Sequence, residues 1–256
     1  NEAIIDYPST AATAVGDGDQ YTATVIAVHK DTIKQYLLML KQAGLSAEII
    51  DFGLSSLIRL HQHLYTAIHE PAILCHIGHT QSLLSIVSND TIFAQRHVPW
   101  GIQPLLKKLQ DNLRLSGDSK AAKILLKKYG LLYENRESSN NTIDLAQDNA
   151  MDSRIRATYQ ILSPCINELI HEFQKMIAYV RSEKQNTVLK SICIYGQGAC
   201  ICHIDQFLEK RLNMPTKLIK TQKKIPFSDN SILPDVSEDV PFTLALGLAM
   251  RKVKWL

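Results

Sequence analysis

Residues 73–101 read "ILCHIGHTQSLLSIVSNDTIFAQRHVPWG". Apolar residues run from Ile73 to Ile77, Gly78 interrupts them, and Leu83 to Val87 resume the run. Two such runs around a short glycine-bearing turn predict an antiparallel hairpin. Asn89-Asp90 is a second turn signal, and 91–98 returns as the third strand of a meander. The tip of the first turn is unusual. It carries Cys75, His76, His79, Thr80 and Gln81, side chains able to hold an anion or a metal.

Upstream of this meander the pattern mixes strands and helices. "YTATVIAV" (21–28) predicts a strand. Asp31 suits an N-cap, Ile33, Leu37 and Leu40 recur at helical spacing, and Gly44 is placed to end that helix. "AEIIDF" (47–52) predicts a short strand. "LSSLIRLHQHLYTAI" (54–68) predicts an amphipathic helix closed by Pro71. Downstream, "IQPLLKKLQDNL" (102–113) and "SKAAKILLKKYGLL" (119–132) read as two helices, and the polar stretch 134–150 as a loop. A long helix follows at about 152–182, with Pro164 either kinking it or splitting it. "TVLKSICIY" (187–195) is continuously apolar, as in a strand buried on both faces. It enters the glycine turn and helix "GQGACICHIDQFLEKRL" (196–212). Strand, glycine turn and helix in that order present backbone N–H groups to a bound anion. "TKLIK" (216–220) is a short strand, 221–240 is irregular, and "PFTLALGLAMRKV" (241–253) is a closing apolar helix. Meander strands alternating with crossover helices predict an α/β fold of more than one lobe.

Composition narrows the function. The chain has 256 residues, is 45% hydrophobic and carries a net charge of +3. That is enough material for one large core or two smaller ones, and too little charge to argue for nucleic acid. No stretch of about 18 apolar residues predicts a membrane span. The start "NEAIIDYPST" does not read as a signal peptide. Five cysteines, mostly within apolar runs, fit a reduced, cytoplasmic chain.

Several side-chain groups invite a sharper reading. Cys75, His76 and His79 in one turn, with Cys200, Cys202 and His203 in another, could converge on a metal. The spacings match no zinc pattern, and Cys75 and His76 point to opposite faces of a strand, so no metal site is assigned. Cys200 with His203 lacks a visible third group for nucleophilic chemistry, so no catalytic residue is assigned either. His61 and His63 are two apart on a helix and read as a solvated face. Glu168 and Glu172 are four apart and do share one. The lysines of "LIKTQKK", with Lys107, Lys108, Lys127 and Lys128, would form a basic patch if the fold clustered them, and such a patch would favour a membrane surface.

In order along the chain these signals resemble the PilM proteins of type IV pilus assembly, relatives of the actin-like ATPase and FtsA fold. "VIAVHKDTIKQYLLMLKQAGLSAEIIDFGLSSLIRL" is similar to the family's strand, helix, "AGL", strand and helix. The opening hairpin is similar to its phosphate-binding hairpin, "PCINELIHEFQKMIAYV" to its long helix beside the nucleotide, and "CIYGQGACICHIDQFLEKRLNMPTKLI" to its adenosine-side turn. "TLALGLAMR" is similar to its closing helix. The resemblance implies actin-like, ribonuclease H-like lobes with the first lobe truncated. It divides the chain into 1–70, a small inserted subdomain with a remnant of the first lobe, and 71–256, a second lobe with a helical subdomain at about 102–185. It also implies candidate nucleotide-binding residues: Gly78, Thr80 and Gln81 at the phosphates, Glu168 and Glu172 by the ribose, and Gly196, Gln197 and Gly198 at adenosine. ATP is the implied cofactor, with magnesium only alongside it.

The departures shape the expected function. The family's opening glycine–aspartate–glycine phosphate turn has no counterpart here. His76 stands where the hairpin carries an aspartate, and imidazole is a poor ligand for magnesium. Gly196-Gln197-Gly198 stands where paired glycines are usual. The expectation is therefore a cytoplasmic scaffold, a degenerate actin-like ATPase with little or no hydrolysis. Its implied partners are the N-terminal cytoplasmic tail of a PilN-like inner-membrane protein and other pilus assembly components. The alternatives are an ATP-binding switch or weak ATPase, should the native protein hold the first phosphate loop, and the actin-like cytoplasmic domain of a type II secretion protein. Apolar faces and strand edges left by an absent sheet need cover, so homodimerisation or strand exchange is also expected.

Overall fold

A computed structural model of the chain describes residues 2–6, 12–14, 21–23, 25–65, 70–88, 91–115, 119–131, 148–183, 187–219 and 242–251. The Asn89-Asp90 turn, residues 134–147 of the loop expected at 134–150 and the irregular stretch 221–240 lie outside the described residues; residues 148–150 of that loop are helical, the start of the long helix expected from 152.

The N-terminal part holds two small antiparallel ribbons and a helix. β1 (Ala3–Asp6) pairs with β4 (Ile26–His29), and β2 (Ala12–Ala14) with β3 (Tyr21–Ala23). The single strand expected over 21–28 is thus two strands with different partners. α1 (Lys30–Gln42) starts one residue ahead of Asp31, which pairs instead with Lys34 in the first turn. Gly44 ends α1 as expected. It adopts φ +76°, and its N–H and that of Leu45 donate to the carbonyls of Lys41 and Leu40, a left-handed cap that favours glycine. The strand expected at 47–52 is absent. Residues 45–52 form no ladder with any described strand.

A five-stranded sheet organises the rest, in the order β7-β6-β5-β8-β9. β5 (Ala72–Ile77), β6 (Ser82–Ser88) and β7 (Thr91–Val98) form the antiparallel meander. β8 (Ser191–Gly196) adds parallel to β5, and β9 (Thr216–Leu218) parallel to β8. β5 and β8 are therefore central strands with both faces covered, which explains their unbroken apolar runs. One face, with Ile73, Cys75 and Ile77 of β5 and Ile192 and Ile194 of β8, packs against four helices. They are α3 (Ile102–Asn112), α4 (Ser119–Lys128), α5 (Asp148–Glu183) and α6 (Ile204–Leu212). α5 is one continuous helix that carries Pro164 inside it.

The other face, with Leu74, Cys193 and Tyr195, packs against α2 (Gly53–Leu64) and α7 (Thr243–Ala249). α2 was expected in the 1–70 unit, yet it buries its apolar stripe on the sheet. α7 folds back across α2. Any side chain at Gly247 would collide with the Ser56 backbone, so glycine lets the two helices touch. An ionic clasp holds the same junction. Arg59 donates to the Gly247 carbonyl (2.6 Å) and to Asp51 (2.9 Å), and Arg251 reaches Asp51 at 3.2 Å. Burial alone would raise the Asp51 carboxyl. Hydrogen bonds from Ser55 and the Phe52 N–H, together with Arg59, hold it below the ordinary carboxylate range.

Ten of the fifteen large apolar side chains found exposed among the described residues lie in the first 50 residues. α1 buries none of its own, although Tyr36, Leu38 and Met39 lie outside its Ile33–Leu37–Leu40 stripe. A helix apolar on most sides is normally buried.

Two outcomes follow. Asp51→Ala should cost about 2 kcal/mol in urea unfolding, because it leaves the part-buried Arg59 guanidinium without its carboxylate and removes the partner of the exposed Arg251. Since the folded-state pKa of Asp51 is depressed, this contribution is complete above the unfolded carboxylate value of about 3.9 and fades as pH falls through the folded one. Sedimentation velocity at tens of micromolar should show this chain self-associating. Leu38→Asp with Met39→Asp should return it to monomer, and a wild-type monomer at every concentration would show that the face tolerates water.

Candidate functional site

Parallel pairing of β5 and β8 sets the carboxyl ends of two strands side by side, with Ile77 opposite Gly196. The turn after β5 and the turn after β8 therefore meet at one end of the sheet, which is where open α/β sheets bind ligands. Gly78, Thr80 and Gln81 of the first turn and Gly196, Gln197 and Gly198 of the second are brought together in this way.

The contact between the turns is tight. Gly196 adopts φ +76°, and a Cβ there would lie 2.6 Å from the Ile77 carbonyl oxygen and 2.8 Å from His76 Nε2. A Cβ at Gly198 would overlap the Ile77 side chain. Residues Gln197–Cys200 form a single tight helical turn. α4 supports the segment from its far side: the Cys202 N–H donates to the Leu126 carbonyl (3.2 Å), and the Leu131 N–H to the Cys202 carbonyl (2.9 Å). The glycine turn is a packed part of the core.

Of the three residues expected at the phosphates, Gly78 has its N–H committed. The Gly78 N–H donates across its own turn to the Gln81 carbonyl (3.0 Å). The first N–H groups of α3, from Ile102 and Gln103, donate to the carbonyls of Gly78 (3.2 Å) and His79 (2.8 Å). Gly101 has no Cβ because the turn backbone at His79 and Thr80 lies against it. Thr80 and Gln81 remain exposed at the tip. The His76 ring rests against Gly196, and burial pushes its pKa below the ordinary histidine value, more than its own backbone hydrogen bond raises it. At neutral pH it is an uncharged imidazole, so it supplies neither the anionic oxygen that magnesium prefers nor a cation for phosphate. The turn after β5 therefore brings no carboxylate to a magnesium ion.

Gln197 is half-buried. Its side-chain oxygen is shielded from solvent and makes no hydrogen bond among the described residues. Glu172 lies elsewhere. Its carboxylate pairs with Arg96 of β7 and with Lys175, both at 2.7 Å, and hydrogen bonding from Lys175 helps to hold its pKa low. β7 is two strands away from β5, on the side opposite β8. Glu168 is exposed on the same helix and acts on Lys108. Cys75 is fully buried in the core, which pushes its thiol far above the ordinary cysteine range.

His61 corrects the expectation of a solvated face. It is buried, its Nδ1 meets the Tyr195 hydroxyl, and its ring stacks on Tyr65, while His63 is exposed. Leu57, His61 and Leu64 recur at i, i+4 and i+7, and that spacing was the available signal. Because Tyr195 directly precedes Gly196, this pair ties α2 to the glycine turn.

The type IV pilus assembly protein PilM family matches this chain over residues 1–253. No curated protein sequence matches it. Among solved structures, a PilM–PilN type IV pilus biogenesis complex is similar at 18% identity and a TM-score of 0.72, over 97% of this chain and 66% of that one. The ethanolamine utilization protein EutJ from Carboxydothermus hydrogenoformans is similar at 14% identity and a TM-score of 0.52, over 86% and 61%. MreB5 of Spiroplasma citri, bound to ADP, is similar at 15% and 0.54, over 87% and 65%. The chain spans just under two thirds of the length of these structures. At such identities the likeness establishes an actin-like fold.

Gly198→Ala should destabilise the protein by about 2–4 kcal/mol through overlap with Ile77. Ile77→Ala in the same chain should recover part of that loss. A strictly additive double mutant in urea unfolding would show that the two residues do not compete for one space.

Proposed function

The chain belongs to the type IV pilus assembly protein PilM family, and from that premise we propose that it acts as a scaffold on an actin-like frame whose nucleotide chemistry has eroded. The observation that carries this reading is the His76 ring packed against Gly196 at the meeting of the two turns, where burial lowers its pKa. In-line hydrolysis needs a positioned water and a metal, and the hairpin turn 78–81 carries no carboxylate to hold them.

On this reading the chain is cytoplasmic and is held at the inner membrane by the N-terminal tail of a PilN-like protein. The solved PilM–PilN complex supports that choice of partner. Other assembly components and pairing of two copies belong to the same reading, since a dimer would gather two partner tails. A second reading, a nucleotide-binding switch without hydrolysis, is favoured by one observation. The shielded, unbonded Gln197 oxygen lies at the turn matched to adenosine and would accept a hydrogen bond from an amine.

Thermal unfolding with millimolar ATP and magnesium distinguishes the two. The scaffold reading expects a shift within about one degree, since a ligand far below its Kd stabilises little. A rise of several degrees that disappears in Gly196→Trp would establish the switch instead. A synthetic PilN-like cytoplasmic tail should bind with a micromolar Kd by fluorescence anisotropy. Absence of binding at several hundred micromolar would overturn the scaffold.

A further inference from the structure

Residues 102–131 hold seven lysines and arginines against two aspartates, a net +5 where the whole chain carries +3. The fold concentrates this charge on a helical pair. α4 buries Ala122 and Leu126 beneath it and presents Lys120, Lys123, Ile124, Lys127 and Lys128 to solvent. At 3.6 residues per turn these five occupy an arc of about 140°. No acidic residue lies within α4. Lys107 is exposed on the neighbouring α3, as is Asp111, while Lys108 is drawn toward Cys165 and Glu168 of α5.

Ile124 decides what kind of partner this face fits. It is 60% exposed in the middle of the lysines, where a purely solvating face would carry a polar residue. Lysines flanking an isolated apolar side chain suit a bilayer surface. Their alkyl stems lie along the headgroup region with the ammonium groups at the phosphates, and the apolar residue dips between them. A nucleic-acid face would instead use arginine forks and stacking aromatics. No described helix is long and apolar enough to cross a membrane, so any lipid contact here is peripheral.

We propose that the exposed face of α4 binds anionic phospholipid headgroups, which sets this end of the molecule against a membrane independently of any protein partner. With one apolar anchor, attraction between the lysines and anionic lipid dominates. Binding therefore needs anionic lipid and falls steeply with salt.

Vesicle co-sedimentation tests this with the whole chain. Vesicles of phosphatidylcholine with 30% phosphatidylglycerol, at low salt, should bind it, and phosphatidylcholine alone should not. Raising sodium chloride to 0.5 M should release it. Lys120→Glu with Lys123→Glu and Lys127→Glu should weaken partitioning on the order of a hundredfold, at roughly fivefold or more per lysine. Ile124→Asp should weaken it several-fold. Lys190→Glu with Lys217→Glu, on exposed lysines beside β8 and in β9, should leave it within about twofold. The altered side chains are exposed, so circular dichroism should match wild type and a lost interaction would not reflect unfolding. Equal binding to both vesicle types would assign the interaction to the apolar N-terminal part and overturn the proposal. Wild-type partitioning of the triple variant would overturn it as well. So would binding of a polyglutamate peptide by α4 without binding to anionic vesicles, which would make the partner an acidic protein.

Discussion

The close approach of the Gly196–Gly198 turn to the end of β5 is the constraint on which the rest depends. β5 and β8 run parallel and adjacent, so the chain leaving β8 must turn over Ile77 with no room for a side chain at two positions. That turn then feeds α6, rests on α4 through Cys202, and continues from a strand whose Tyr195 meets His61 of α2. Both layers of the molecule are thereby tied to one short segment. The helices on one face reach it through α4, and those on the other reach it through α2.

The same constraint explains what became of the other turn. Gly78 closes onto Gln81, and the leading N–H groups of α3 close onto Gly78 and His79, so part of the hairpin tip is bonded within the fold. A backbone donor paired within the fold is withdrawn from a ligand. The imidazole of His76 lies at the same meeting of turns. Burial keeps it uncharged, and an uncharged ring can rest against Gly196 at little electrostatic cost, where a carboxylate would have to lose its hydration.

The fold was legible in the sequence wherever local pattern and burial agree. The meander, the doubly buried β8 and the Gly44 cap follow from apolar periodicity and glycine placement alone. Residues 47–52 did not, because "AEIIDF" has strand composition but a strand also needs an edge to pair with. The run 21–28 has uniform β character, yet its two halves take different partners, which composition does not encode. His61 was misread because histidine is usually exposed, although its spacing from Leu57 and Leu64 places it on the buried stripe. At the candidate site, the two turns and their convergence were legible through the ordered resemblance. The commitment of Gly78 to Gln81, and of the α3 donors to the turn carbonyls, was not, since hydrogen bonds between loops depend on a third element whose position sequence spacing does not fix.

Glycines in a nucleotide-type turn are commonly taken to mean that a ligand slides over them. In this protein the two flanking glycines have a sufficient cause within the fold: Gly196 yields to the Ile77 carbonyl and the His76 ring, and Gly198 yields to the Ile77 side chain. They would be required with no nucleotide present. The position between them has no such requirement, and it carries a glutamine. Gly196 and Gly198 are therefore evidence about packing, and evidence about binding has to come from groups that packing leaves unexplained. His76 and the shielded oxygen of Gln197 are those groups. The first is an imidazole whose pKa burial lowers, and the second is an acceptor with no hydrogen bond among the described residues. Packing accounts for the frame, and these two groups bear on what it binds.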